Sequence, residues 1–182
     1  MMAVMGCRDR DRERRIAASI EDLNSPNAET RLAVVAGLGR VEHSHPVVMA
    51  LMGATADSSP EVRAAALRSL AALSVAPLTL RPLIVRAMRD TDEIVRYTAL
   101  NLFASDRYRD LAALDALRQA LRDSSPTVRA MAVIAIGRLG QRASSALADL
   151  VVVARDTDAI VQHEARDAID AVTGRRVHRD VP

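Results

Sequence analysis

A seven-residue signature, Asp-x-[Ser/Asp]-x-x-Val-Arg, returns at a fixed step of 33 residues along this chain. It opens at Asp57, Asp90 and Asp123 and closes on Arg63, Arg96 and Arg129; a fourth copy opens at Asp156 and closes on Gln162. An earlier version, Asn24-Ser25-Pro26-Asn27-Ala28-Glu29-Thr30-Arg31, reads as carrying one extra residue in its opening loop. A period of this size marks an array of supersecondary units, each too small to bury its apolar face alone, so neighbouring copies must stack.

Each repeat reads as two antiparallel helices. The first begins at a strong start signal: Ser25-Pro26, Ser59-Pro60 and Ser125-Pro126 place a capping hydroxyl before a proline at the first helical position, and Asp92 and Asp158 stand at the corresponding cap. Inside it, three apolar rows recur: Val62, Val95, Val128 and Val161; Ala66, Ala99, Ala132 and Ala165; Leu70, Phe103, Ile136 and Ile169. Offsets of four residues put all three rows on one helix face. The second helices are expected over 45–55, 77–89, 108–122 and 142–155, with stripes such as Leu80, Leu83, Ile84, Ala87 and Met88, or Leu114, Leu117, Ala120 and Leu121. Polar linkers, including Glu42-His43-Ser44, join the paired helices.

The ends differ from the middle. Residues 1–11 read as a flexible tail, and 12–23 as a capping helix with Ile16, Ile20 and Leu23 on one face. The repeat domain then runs to 174, with copies starting near 24, 57, 90, 123 and 156 and a stop at Thr173-Gly174. Residues 175–182 form a basic tail.

With one Phe, two Tyr and no Trp, small aliphatic side chains must fill the core. All 25 basic residues are arginine, and the net charge of +2 argues weakly for any polyanion partner. The one cysteine, Cys7, excludes an internal disulfide framework and points to a reducing, cytoplasmic location. Val4-Met5-Gly6-Cys7 outlines a lipoprotein cleavage site, but no apolar region precedes it, and no apolar run approaches the roughly 18 residues of a membrane span.

The recurrent Asp-x-[Ser/Asp]-x-x-Val-Arg-x-x-Ala-[Leu/Val]-x-x-[Leu/Ile] pattern resembles HEAT-like repeats of the short bacterial variety named after phycobilisome lyases, over about residues 24–174. The Thr-Pro-Leu-His signature of ankyrin repeats and the aromatic landmarks of tetratricopeptide repeats are missing. The resemblance implies an all-α, right-handed α-solenoid of about four and a half repeats whose second helices line the concave side. It also implies a ladder in which the loop aspartates Asp57, Asp90, Asp123 and Asp156 pair with Arg31, Arg63, Arg96 and Arg129 of the neighbouring repeats. A planar guanidinium suits that duty, because it can join two loops through charge-assisted bonds. Gln162 ends the ladder where no further repeat follows.

No constellation for catalysis or metal binding assembles, and no cofactor is implied. His163-Glu164 resembles the His-Glu pairs of the di-iron deoxyhypusine hydroxylases, but the equivalent positions hold Ala64-Ala65, Tyr97-Thr98 and Ala130-Met131. His43 and His45 lack a third ligand nearby. Gly37, Gly39, Gly137 and Gly140 read as helix stops rather than a phosphate loop.

The reading is therefore a non-catalytic adaptor or regulatory scaffold that binds a protein partner on its concave face. Candidate contacts are Met49, Met52, Val85, Arg86, Arg118, Gln119 and Val152, since methionine and arginine are enriched at interfaces; Tyr97 is a further candidate. Nucleic-acid binding through an arginine-lined groove is the alternative. It draws on Arg86, Arg89, Arg118, Arg122 and Arg155 but lacks aromatic partners for base stacking, and Arg89, Arg122 and Arg155 are read more simply as helix C-terminal charges. An accessory subunit of a lyase or other enzyme is the third reading.

Overall fold

The computed structural model describes residues 2–41 and 43–175, and among them it contains helices and turns but no strand. Glu42 of the first linker and residues 176–182 of the expected basic tail lie outside the described residues. The repeat domain expected over 12–174 falls into two compact units, Met1–Ala76 and Pro77–Pro182, with the division inside the repeat that starts at Asp57.

The first unit contains α1 (Met2–Glu21), a 3-10 turn over Asp22–Asn24, α2 (Ala28–Leu38), α3 (His45–Ala54) and α4 (Pro60–Ala72). Helix α1 begins ten residues before the expected capping helix, so the segment assigned to a tail is helical from Met2. That stretch is rich in Arg, Asp and Glu and contains no proline, and Arg15 Nε donates to the Asp11 carbonyl at 3.2 Å.

The start of α2 corrects the sequence reading. Its N-cap is Asn27, whose side chain accepts from the Glu29 N–H at 2.8 Å, while Ser25 and Pro26 precede it. Ser25 Oγ instead accepts from the Asn27 N–H at 3.2 Å, as Asp57 Oδ1 accepts from Ser59 N–H at 2.8 Å in the next repeat. Ser25 is therefore the counterpart of the loop aspartate, and the supposed extra residue disappears. In α4 the expected start holds: Ser59 caps and Pro60 follows. Val62, Ala66 and Leu70 are fully buried, and Ser69 Oγ donates to the Val35 carbonyl of α2 at 3.0 Å.

The second unit contains α5 (Pro77–Ala87), α6 (Glu93–Phe103), α7 (Leu114–Ala120), α8 (Pro126–Leu139), α9 (Leu147–Val153) and α10 (Ala159–Thr173). Asp92, Ser125 and Asp158 cap α6, α8 and α10 through their side chains. Val95, Val128 and Val161, then Ala99, Ala132 and Ala165, then Phe103 and Ile136 are buried as the rows require; Ile169 is half-buried. Gly174 stops α10 in the left-handed conformation, at φ 76°.

Helices α7 and α9 are shorter than the spans 108–122 and 142–155. A 3-10 turn over Leu111–Ala113 precedes α7, and another over Gly140–Ala146 precedes α9. Asp110, extended at φ −149°, starts the first by accepting from the Ala112 N–H, and Gly140, at φ 60°, breaks the chain before the second.

Gly137 is not a helix stop. It lies inside α8, where a β-carbon would come within 3.1 Å of Ala168 Cβ and 3.2 Å of its Cα on α10. The small residues at this crossing let two backbones approach closely, so an added side chain must push them apart. Replacing Gly137 with valine is expected to destabilise the protein by about 2 kcal/mol through overpacking. Gly37→Ala, at a helical position with nothing within 4 Å of the new carbon, is expected to stabilise by about 0.5–1 kcal/mol. Urea unfolding of the two variants checks both signs.

Candidate partner-binding surface

The loops that follow α3, α7 and α9 are each gripped by an arginine of the preceding first helix. In the first unit, Arg31 Nε and Nη2 donate to Asp57 Oδ2 and Oδ1, both at 2.7 Å. In the second unit, Arg96 holds Asp123 at 2.6 and 2.9 Å, and Arg129 holds Asp156 at 2.8 and 2.7 Å. The third nitrogen turns back on the arginine's own loop. Nη1 of Arg31 reaches the carbonyls of Ser25 and Pro26, that of Arg63 those of Asp57 and Ser58, that of Arg96 those of Asp90 and Thr91, and that of Arg129 those of Asp123 and Ser124. Each aspartate also accepts from the N–H two residues ahead, as Asp90 does from Asp92 at 3.0 Å. Gln162 keeps only the backward bond, from Nε2 to the Asp156 carbonyl at 2.6 Å.

These contacts favour the ionised aspartates. The Arg31 bonds hold the Asp57 carboxyl below its ordinary range, and the Arg129 bonds do the same for Asp156. At Asp123 burial is the largest single effect and pushes upward, but the Arg96 fork, the Ser125 N–H and the charges of Arg96 and Arg129 together outweigh it.

The candidate contact residues divide into two kinds. In the first unit Met49 of α3 is 52% exposed and Met52 is half-buried. In the second unit Val85 is half-buried and Arg86 exposed on α5, and Val152 of α9 is 72% exposed. Arg118 and Gln119 are not free in the same sense. Arg118 Nε donates to Asp149 Oδ2 at 2.6 Å, tying α7 to α9, and Gln119 Oε1 accepts from Arg89 Nε at 2.9 Å, tying α7 to the end of α5. Arg122 approaches the same Asp149 at 3.7 Å with its side chain 83% exposed. Sequence reasoning missed Asp149, which has no repeat counterpart to advertise it. It also missed the Arg81–Asp110 ion pair, which links α5 to the turn before α7. Tyr97 is 37% exposed, and His43, His45 and His163 are exposed. Among the described residues no group of three or more His, Cys, Asp or Glu is placed to hold a metal ion. No described helix is long and apolar enough to cross a membrane.

The comparisons with known proteins agree with this architecture. A family model described as HEAT repeats matches residues 16–84 and 80–170. No curated protein matches the chain. Among solved structures, the chain is similar to the complex of CpcE and CpcF of phycocyanin lyase from Nostoc sp. PCC7120, with a TM-score of 0.67 and 22% identity, covering 87% of this chain and 65% of that one. It is also similar to a designed armadillo repeat protein in complex with the peptide (KR)4, with a TM-score of 0.62 and 18% identity over 85% of this chain and 80% of that one. An engineered protein gives a TM-score of 0.63 and 18% identity, over 87% and 79% of the two chains.

Two outcomes follow for the ladder. Arg129→Ala, which strands Asp156 with 12% of its side chain exposed, should cost about 2–3 kcal/mol in denaturant unfolding. Arg129→Lys should recover less than half of that, because an ammonium cannot grip both oxygens and two carbonyls at once. The pH dependence has a definite sign. The folded-state aspartates titrate below their unfolded value of about 3.9, so their contribution is complete above that pH and disappears as pH falls through the lower folded values. Asp156→Asn should therefore unfold over a flatter acid profile than the parent below about pH 4, measured by circular dichroism.

Proposed function

The chain belongs to the HEAT-repeat family, and from that premise we propose that it is a non-catalytic adaptor or regulatory scaffold that binds a protein partner on the exposed face of its second helices. The observation that carries the proposal is the exposure there of large apolar side chains and of arginine: Met49 in the first unit, and Val152 and Arg86 on separate helices of the second. Repeat arrays bind through extended faces of this kind, and methionine and arginine are favoured at interfaces. The designed armadillo neighbour holds a peptide, and CpcE is found in complex with CpcF; both support a protein partner. The phycocyanin lyase complex supports the accessory-subunit reading at the level of assembly, with fold as the shared feature. A cytoplasmic placement rests on the single cysteine.

The experiment is affinity capture with the parent chain, Arg86→Glu and Val152→Glu as baits. Both substituted positions are exposed, so helicity and melting should be unchanged, whereas changes at Arg118 or Gln119 would also break inter-helix bonds. A protein held by the parent and lost at least about tenfold by either variant, equivalent to about 1.4 kcal/mol, is the expected result. A protein lost only on Ile160→Glu, an exposed first-helix position, would move the site to the other face. Capture of nuclease-sensitive material alone would replace the proposal with nucleic-acid binding.

A further inference from the structure

We infer that, within the unit spanning 77–182, the second-helix face takes an extended acidic peptide segment whose carboxylates are paired by an arginine row, Arg89, Arg122 and Arg155. This rests on the partner-binding reading above and narrows it to one chemistry.

The row recurs once per repeat, and each member sits two residues beyond the end of its helix: Ala87 of α5, Ala120 of α7 and Val153 of α9. Sequence alone suggests that such arginines serve the carbonyl ends of their own helices. The structure places them elsewhere. Arg89 reaches across to Gln119, and Arg122 leans toward Asp149 at 3.7 Å while staying 83% exposed. The side chains of Arg155 and Arg86 are exposed and make no hydrogen bond or ion pair among the described residues. Guanidinium forks are thus presented outward, where each can grip a carboxylate in two-point fashion.

The row is also set in register before any partner arrives. The Arg89–Gln119 and Arg118–Asp149 bonds brace α5 to α7 and α7 to α9. Between the ends of α7 and α9 lies a groove of about 510 Å³, lined in part by Arg122, Val152, Arg155 and Thr157. It offers an apolar wall beside the charges.

Charge decides the class of partner. Around this face Arg86, Arg89, Arg118, Arg122, Arg129 and Arg155 stand against Asp115, Asp149 and Asp156, leaving a net positive charge. A basic peptide would be repelled. A nucleic acid would find no ring to stack upon, since α5, α7 and α9 contain no aromatic residue. An acidic peptide with aliphatic side chains suits both features. Packed helices stand about 8–10 Å apart and an extended chain advances about 3.3 Å per residue, so one carboxylate roughly every three residues meets the row.

The test is fluorescence anisotropy with the full chain and four labelled probes. These are a peptide of roughly nine residues with glutamate at every third position and valine or serine between, its glutamine counterpart, a lysine counterpart, and an oligothymidylate of similar length. The acidic peptide should bind at least about tenfold more tightly than each of the others, and Arg122→Gln and Arg155→Gln should each weaken it about tenfold. Since both side chains are exposed, melting should not move, and a melting check on each variant keeps the comparison clean. Equal binding of the glutamine peptide, or indifference to both arginine substitutions, would overturn the inference. So would tighter binding of oligothymidylate with a steeper salt dependence. Failure of every peptide alongside capture that is still lost on Val152→Glu would sink the acidic-peptide inference alone. Capture indifferent to Val152→Glu and Arg86→Glu would sink the partner-face reading beneath it.

Discussion

Arg31, Arg96 and Arg129 each join two loops with a single planar group, and the spacing of the repeat signature depends on it. Nε and Nη2 take both oxygens of the next loop's aspartate, while Nη1 takes two carbonyls of the arginine's own loop. The group is nearly enclosed, with side-chain exposures of 10–14% for Arg31, Arg96 and Arg129. A charge so placed is tolerable only when paired, and only a guanidinium has donors enough and the right plane. The spacing of the signature follows from this. The aspartate sits six residues before the next arginine because its backbone carbonyl serves that arginine while its carboxylate serves the previous one. Gln162 shows the two duties separated, since it retains the backward bond and has no second arm.

The core is built mostly from aliphatic side chains, with Phe103 and Tyr108 as buried rings. The buried alanine row brings first helices close, and at Gly137 the approach to Ala168 is tight enough to exclude even a methyl group without movement. Such packing leaves little internal freedom, so variation between repeats is confined to the turns before α7 and α9 and to the exposed face. In the second unit that face has its own polar bracing, in Arg118–Asp149, Arg89–Gln119 and Arg81–Asp110. Residues that look alike in a list of surface arginines therefore do different work. Arg118 holds helices together, whereas Arg86, Arg122 and Arg155 point their charge outward.

Much of this was legible in the sequence because a repeat reports its own constraints several times over. The valine and alanine rows, the caps at Ser59, Asp92, Ser125 and Asp158, and the stop at Gly174 all follow from local rules of helix periodicity and termini. The first repeat was misaligned by one residue because serine-proline imitates a cap. The clue lay in Arg31, whose distance back to Ser25 equals that from Arg63 to Asp57. The surface was less legible. The exposed Met49 and Val152 sit where an apolar stripe leaves them, but the partners of Arg118 and Gln119 lie about thirty residues away on other helices.

The sequence by itself determined the fold class, the helical repeat and most helix starts, because these depend on contacts within one turn or on a pattern that recurs at every period. Tertiary structure alone decided the close approach at Gly137 and which surface arginines brace and which remain outward. Those outcomes depend on side chains from separate helices meeting at distances of a few ångströms. Asp149 is the plainest case: a single carboxylate outside the repeat pattern, it holds Arg118 at 2.6 Å and draws Arg122 to 3.7 Å.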